Sequence, residues 1–88
     1  MSDEPVDDIS ALRNAAVTDV LGAHLFGLIQ LAAVRLGESP PRLEDAALVI
    51  DVAAALVAAG GERLGEHREL YRNALAEIQQ VYVRASAP

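Results

Sequence analysis

The side chains that could do chemistry in this chain are few, and their spacing assembles neither a catalytic site nor a metal site. The only two histidines, His24 and His67, are far apart in sequence, so no pair has the four-residue spacing that places two ligands on one helix face. Cysteine is absent, which excludes thiolate ligands, disulfides and cysteine nucleophiles. The four serines lie near the chain ends or at a helix start, without an adjacent base. We therefore expect no enzymatic activity, no metal and no cofactor.

One carboxylate, Asp51, interrupts the long apolar run of residues 46–59. On a helical wheel it shares a strip with Glu44 and Glu62, which predicts a position at the edge of a buried face. The imidazole of His24 could pair with the Asp51 carboxylate at that edge. The pattern favours a partly hydrated boundary residue over a buried general acid.

Composition and charge narrow the possible partners. The chain has 88 residues, 52% of them hydrophobic, and a formal net charge of −6. Four of its acidic residues fall within the first eight positions, and no basic stripe follows them, so direct nucleic-acid binding is not expected. The acidic start lacks the basic region of a signal peptide, which predicts a cytoplasmic protein.

The elements that position these residues are predicted to be three helices. Residues 1–8 are expected to be a disordered acidic leader, followed by one helical domain over residues 9–86. Helices are predicted at residues 9–36, at about 41–59 and at 66 to about 85, separated by a proline-containing connector and a glycine-rich break. The last helix has a single apolar face, whereas the first two have two apolar faces each.

The fold predicted by this pattern is an all-α, three-helix antiparallel bundle, similar to a helical hairpin with a third helix and completed by homodimerisation. A second apolar face on two helices exceeds what a monomeric bundle can bury, so association with a second copy is expected. The candidate interface residues, from the second faces of the first and second helices, are Ala16, Val20, Ala23, Gly27, Val34, Val49, Val52 and Leu56.

Two alternatives remain open at this stage. Residues 15–34 are long enough to span a membrane, so the chain could be membrane-associated through its first two helices. Asp19, His24 and Gln30 within that stretch argue against insertion, because polar groups are costly in a bilayer. A cavity between the alanine-rich helices would instead make the chain a carrier of a small ligand.

The chain also resembles a bacterial family called domain of unknown function 1844, over residues 9–86. The resemblance consists of a long apolar first helix closing on Leu36-Gly37, a proline-containing connector, a second helix with the sequence ALVID at residues 47–51, and an amphipathic last helix. The break GGERLG at residues 60–65 departs from the Thr-Gly-Asn type of much of that family and looks like an actinobacterial variant. That family has no established activity, so the resemblance implies no functional residues. Its actinobacterial members are associated with genes for translation factors and ribosomal proteins, which implies a protein partner in the translation machinery.

Overall fold

The computed structural model describes residues 4–88, and all the regular elements in that part of the chain are helical. The four α-helices are α1 (Glu4–Asn14), α2 (Val17–Leu36), α3 (Leu43–Gly60) and α4 (Arg68–Ser86), with a 3-10 segment at Gly61–His67 between the last two. The prediction of an all-α fold is therefore confirmed.

Helices α2, α3 and α4 pack against one another around one apolar core made of two buried clusters. The cluster next to the 3-10 segment consists of Leu25, Ala53, Val57, Leu64 and Tyr71. The cluster next to the α2–α3 connector consists of Ala32, Leu36, Ala46, Ile50 and Ile78. Each cluster contains residues from all three helices, so each helix needs both of the others to bury its apolar face.

A charge network joins the end of α2 to the start of α3. Arg42 lies 3.2 Å from Asp45 and 3.5 Å from Glu38, while Arg35 lies 3.6 Å from Glu38 and 4.0 Å from Asp45. The backbone N–H of Arg42 also donates to the carbonyl oxygen of Arg35 at 2.9 Å. These contacts link the end of α2 to the start of α3 across the short connector, beside the apolar packing that joins the two helices.

The 3-10 segment closes the other end of the core. Gly61 (φ 51°) and Gly65 (φ 86°) adopt positive φ angles that favour glycine. Between them, the Leu64 side chain is 2% exposed and fills the end of the bundle. A Cβ at Gly60 would lie 2.6 Å from the Leu64 side chain, so that glycine makes room for Leu64.

The single first helix predicted over residues 9–36 is wrong, because the structure has a break between α1 and α2. Ala16 is extended (φ −69°, ψ 134°) and precedes the first residue of α2. Residues 4–8 of the expected leader belong to α1, and residues 1–3 of it lie outside the described residues. The exposed side chains of Ile9 and Leu12 in α1 add nothing to the core clusters.

Candidate interaction surface

The outward face of α2 is apolar and exposed. Its buried residues, Leu25 and Ala32 among them, point to the core, and a helix turns by about 100° per residue. The predicted second face therefore lies opposite the core, where Val20 is half-buried and Ala16, Ala23, Gly27 and Val34 are exposed. Leu31, 42% exposed, extends this face and was missed because it is adjacent to the buried Ala32. We call these six residues the α2 stripe.

The α2 stripe has α4 on one side and α3 on the other, as two contacts of α2 show. Phe26 and Tyr71 of α4 form an edge-to-face pair with ring centroids 5.6 Å apart, so that flank faces α4. Arg35, on the other flank, reaches Asp45 at the start of α3. Leu31 lies on the α3 flank of the stripe, which therefore adjoins the outer edge of α3.

The second face of α3 differs from the one expected. Val49 and Leu56 are half-buried and pack against the core clusters, whereas Val52 is 49% exposed and Leu48 66% exposed. The reason is that the small side chains of Ala46 and Ala53, 0% and 1% exposed, form the centre of the buried face. Val49 and Leu56 therefore face the core. Val52 lies two turns after Asp45, whose carboxylate reaches Arg35 of α2, so Val52 is on the side of α3 that faces α2.

The polar residues singled out in the sequence do not come together. His24 and Asp51 are both exposed, on different helices, and no ion pair joins them in the described part of the chain. His67, which the sequence places on the apolar side of the last helix, is exposed, with its Nε2 atom 3.9 Å from a carboxylate oxygen of Glu66. Among residues 4–88 no three His, Asp or Glu side chains converge as metal ligands, and the buried core holds no charged side chain.

One helix of the described chain, α2, is long and apolar enough to cross a membrane by length and composition, with a mean hydropathy of 1.6. The same property is found in core helices of soluble proteins. Two of its apolar residues, Leu25 and Ala32, are fully buried between α3 and α4. The α2 stripe makes up much of the remaining apolar surface of the helix, and Val17 and Leu21, 72% and 36% exposed, add to it.

No protein family, curated protein or solved structure matches this chain. The resemblance to domain of unknown function 1844 stays a prediction.

Proposed function

We propose that this chain is a non-catalytic helical interaction module of the cytoplasm that works as a homo-oligomer. In this proposal α2, α3 and α4 form an antiparallel bundle, and a second copy completes it by covering the α2 stripe. The observation that carries the proposal is the exposure of an apolar face on a helix whose opposite face packs into the core.

The composition of the α2 stripe supports helix-on-helix contact. Ala16, Ala23 and Gly27 are small, and small residues let two helix backbones approach closely. A Cβ on Gly27 would meet nothing within 4 Å in the single chain, so the space above this glycine is open to a partner. Val20, Leu31 and Val34 supply the larger side chains around it. Burial of such surface stabilises association by about 25 cal/mol per Å².

A two-fold dimer is the arrangement that this surface fits best. Each copy offers the same self-complementary face, so one contact satisfies both copies and closes the assembly. The polar side chains of His24 and Gln30, both exposed, border the stripe and would form the hydrated rim of the interface.

Membrane association is the second candidate, because α2 has the length and hydropathy of a spanning helix. Insertion would place Asp19, His24 and Gln30 in hydrocarbon, and it would separate Leu25 and Ala32 from α3 and α4. Fractionation of the native host decides between the candidates, because membrane association requires the chain to stay in carbonate-washed membranes.

A partner in the translation machinery is the third part of the proposal, and it rests on the resemblance alone. Since the chain is acidic, such a contact would be made with a protein and not with ribosomal RNA. Co-sedimentation of the tagged chain with ribosomes, before and after a salt wash, tests this part separately from self-association.

The test of self-association is analytical ultracentrifugation of wild type and Gly27→Leu at tens of micromolar. We expect the wild type to sediment as a dimer, and the variant to remain helical but to sediment as a smaller species, because the added leucine side chain holds the facing helix away. Ala76→Leu is the matched control, since Ala76 is exposed on α4, away from the stripe. A monomeric wild type would refute the proposal. Unfolding of Gly27→Leu would refute the assignment of the stripe.

A further inference from the structure

A second surface feature lies on the other side of the bundle, in the groove between α3 and α4. The groove has a volume of about 440 Å³. Its floor is apolar, formed by Ala54, Val57 and Ala58 of α3 together with Leu75 of α4. Two arginines of α4, Arg68 and Arg72, stand at its rim.

The groove exists because α3 places small side chains where α4 passes. Ala54 and Ala58 are one turn apart on the same side of α3, so they leave a furrow that larger residues would fill. Val57 is 8% exposed and seals the furrow from the core below. The result is an open channel with an apolar bottom, in contrast to the filled interior of the bundle.

The two arginines give the groove a local positive charge in a chain whose net charge is −6. Arg68 and Arg72 are four residues apart, so both guanidinium groups lie on the same side of α4. Arg68 is half-buried and forms no ion pair with any of the described residues. Arg72 approaches Glu69 at 3.6 Å, but both side chains are largely exposed, so this pair is weak. Glu62 and Glu66 lie nearby in sequence, and neither is paired with these arginines.

The charge of Arg68 does not favour α4. It lies at the first residue of that helix, where the helix dipole is positive and a cation is unfavourable. An anion bound at Arg68 would relieve this repulsion and would also interact with Arg72. Guanidinium groups bind anionic oxygen head groups, carboxylates among them, with paired hydrogen bonds, which gives the rim a preference for an anion of that kind.

We propose that the α3/α4 groove binds an amphipathic monocarboxylate with an unbranched apolar tail, of the medium-chain fatty-acid class. The carboxylate binds Arg68 and Arg72, and the tail lies along Ala54, Ala58 and Leu75. The alanine floor explains why a tail is required, since inorganic phosphate or acetate would leave it uncovered. This site is separate from the α2 stripe and does not depend on self-association.

The test is a titration of the full-length ¹³C-labelled chain with octanoate, kept below its micelle-forming concentration and followed by methyl NMR. We expect saturable shifts at the methyl groups of Ala54, Ala58 and Leu75, with affinity rising up to about fourfold for each further buried methylene. Octylammonium, with the same tail and the opposite charge, and acetate, with the head group alone, should leave these signals unshifted.

Three variants test whether octanoate binds in the α3/α4 groove. Arg68→Gln and Arg72→Gln should each weaken octanoate binding by about three- to tenfold, because each removes one charged hydrogen-bond donor. Ala58→Leu should abolish binding by filling the groove, while the helix propensity of α3 is retained. Arg84→Gln, an exposed arginine of α4 outside the groove, is the matched control and should bind like wild type.

Three results would each overturn the proposal. They are methyl shifts with octylammonium equal to those with octanoate, octanoate shifts confined to the α2 stripe, and unchanged octanoate binding by Ala58→Leu. The titration is repeated on Gly27→Leu, so that loss of the groove site and loss of self-association are distinguishable.

Discussion

Two glycines of α2, five residues apart, have opposite environments. Gly22 is buried, and a Cβ there would lie 2.7 Å from the Cζ atom of Tyr71, whereas a Cβ on Gly27 would meet nothing within 4 Å. The close approach of α4 to α2 therefore depends on Gly22. Sequence alone treats both as helix-weakening residues, because only the position of Tyr71 distinguishes them.

The first prediction uses this contrast. Gly22→Ala should destabilise the chain by about 1–3 kcal/mol through overpacking against Tyr71, in spite of the better helix propensity of alanine. Gly27→Ala should raise the free energy of unfolding by up to about 1 kcal/mol, because alanine gains propensity without a clash. Urea unfolding at matched protein concentration measures both changes. Equal changes for the two variants would show that Tyr71 does not pack on Gly22.

A second residue-scale prediction concerns Asp51, which is exposed and forms no ion pair with any of the described residues. Asp51→Asn preserves the shape of the side chain, so the free energy of unfolding should change by less than about 0.5 kcal/mol. Asp45→Asn is the matched comparison, because Asp45 interacts with Arg35 and Arg42. This substitution should lower the free energy of unfolding by up to about 1 kcal/mol. A loss above about 2 kcal/mol at Asp51 would indicate a buried, paired carboxylate.

At the scale of the elements, the sequence predicts the helices well where proline or glycine breaks coincide with the limits of apolar periodicity. The expected helix at about residues 41–59 is α3 (Leu43–Gly60), and the one at 66 to about 85 is α4 (Arg68–Ser86). Pro40, Pro41 and the glycine-rich break mark these ends, and such residues act locally. Local rules are therefore sufficient for the existence and limits of these two helices.

The break at Ala16 and the rotation of α3 could not be predicted in the same way. No glycine or proline lies at residues 14–16 to end a helix there. Ile9 and Leu12 are exposed and belong to neither core cluster, so no core contact holds α1 in line with α2. The burial of Ala46 and Ala53 depends on how closely α2 approaches, which is a tertiary property. The helical wheel instead places Val49, Val52 and Leu56 together on a second face.

The third prediction tests the separation of α1 from the bundle. A chain that begins at Ala16 should keep the helical circular dichroism of α2, α3 and α4, and its free energy of unfolding should fall by less than about 0.5 kcal/mol. The physical reason is that Ile9 and Leu12 bury nothing against the core clusters. A loss above about 2 kcal/mol would mean that α1 packs on the bundle or on a second copy. Sedimentation of the same truncated chain distinguishes these two cases.

For the whole molecule, the dimensions explain why so much apolar surface is exposed. The Cα atoms extend over 50 × 35 × 15 Å, and the shortest extent corresponds to about two layers of packed helices. A molecule this thin has little interior, so large side chains such as Leu48, Val34 and Val83 remain 61–66% exposed. A second copy laid on the broad face would double the thickness and supply the missing layer.

The area of α2 alone is insufficient for that contact. A 20-residue helix is about 30 Å long and about 10 Å wide, so its outward face covers roughly 300 Å², whereas a standard dimer buries about 800 Å² on each partner. The proposed interface would therefore have to extend beyond α2. The stripe adjoins α3 on the side of Leu31, and Val52 is the apolar side chain of the predicted α3 face that remains largely exposed there.

The last prediction follows from this extension. Val52→Asp should raise the dimer dissociation constant by about tenfold or more, because it would bury a charge without a partner in the interface. Val83→Asp is the matched control: Val83 is 65% exposed on α4, and its replacement should leave the constant unchanged. Both variants should unfold at nearly the same urea concentration when monomeric, since neither valine belongs to a core cluster. Sedimentation equilibrium measures the two constants. An unchanged constant for Val52→Asp would place the second copy on the α4 flank of the stripe, beside Phe26, and would exclude α3 from the interface.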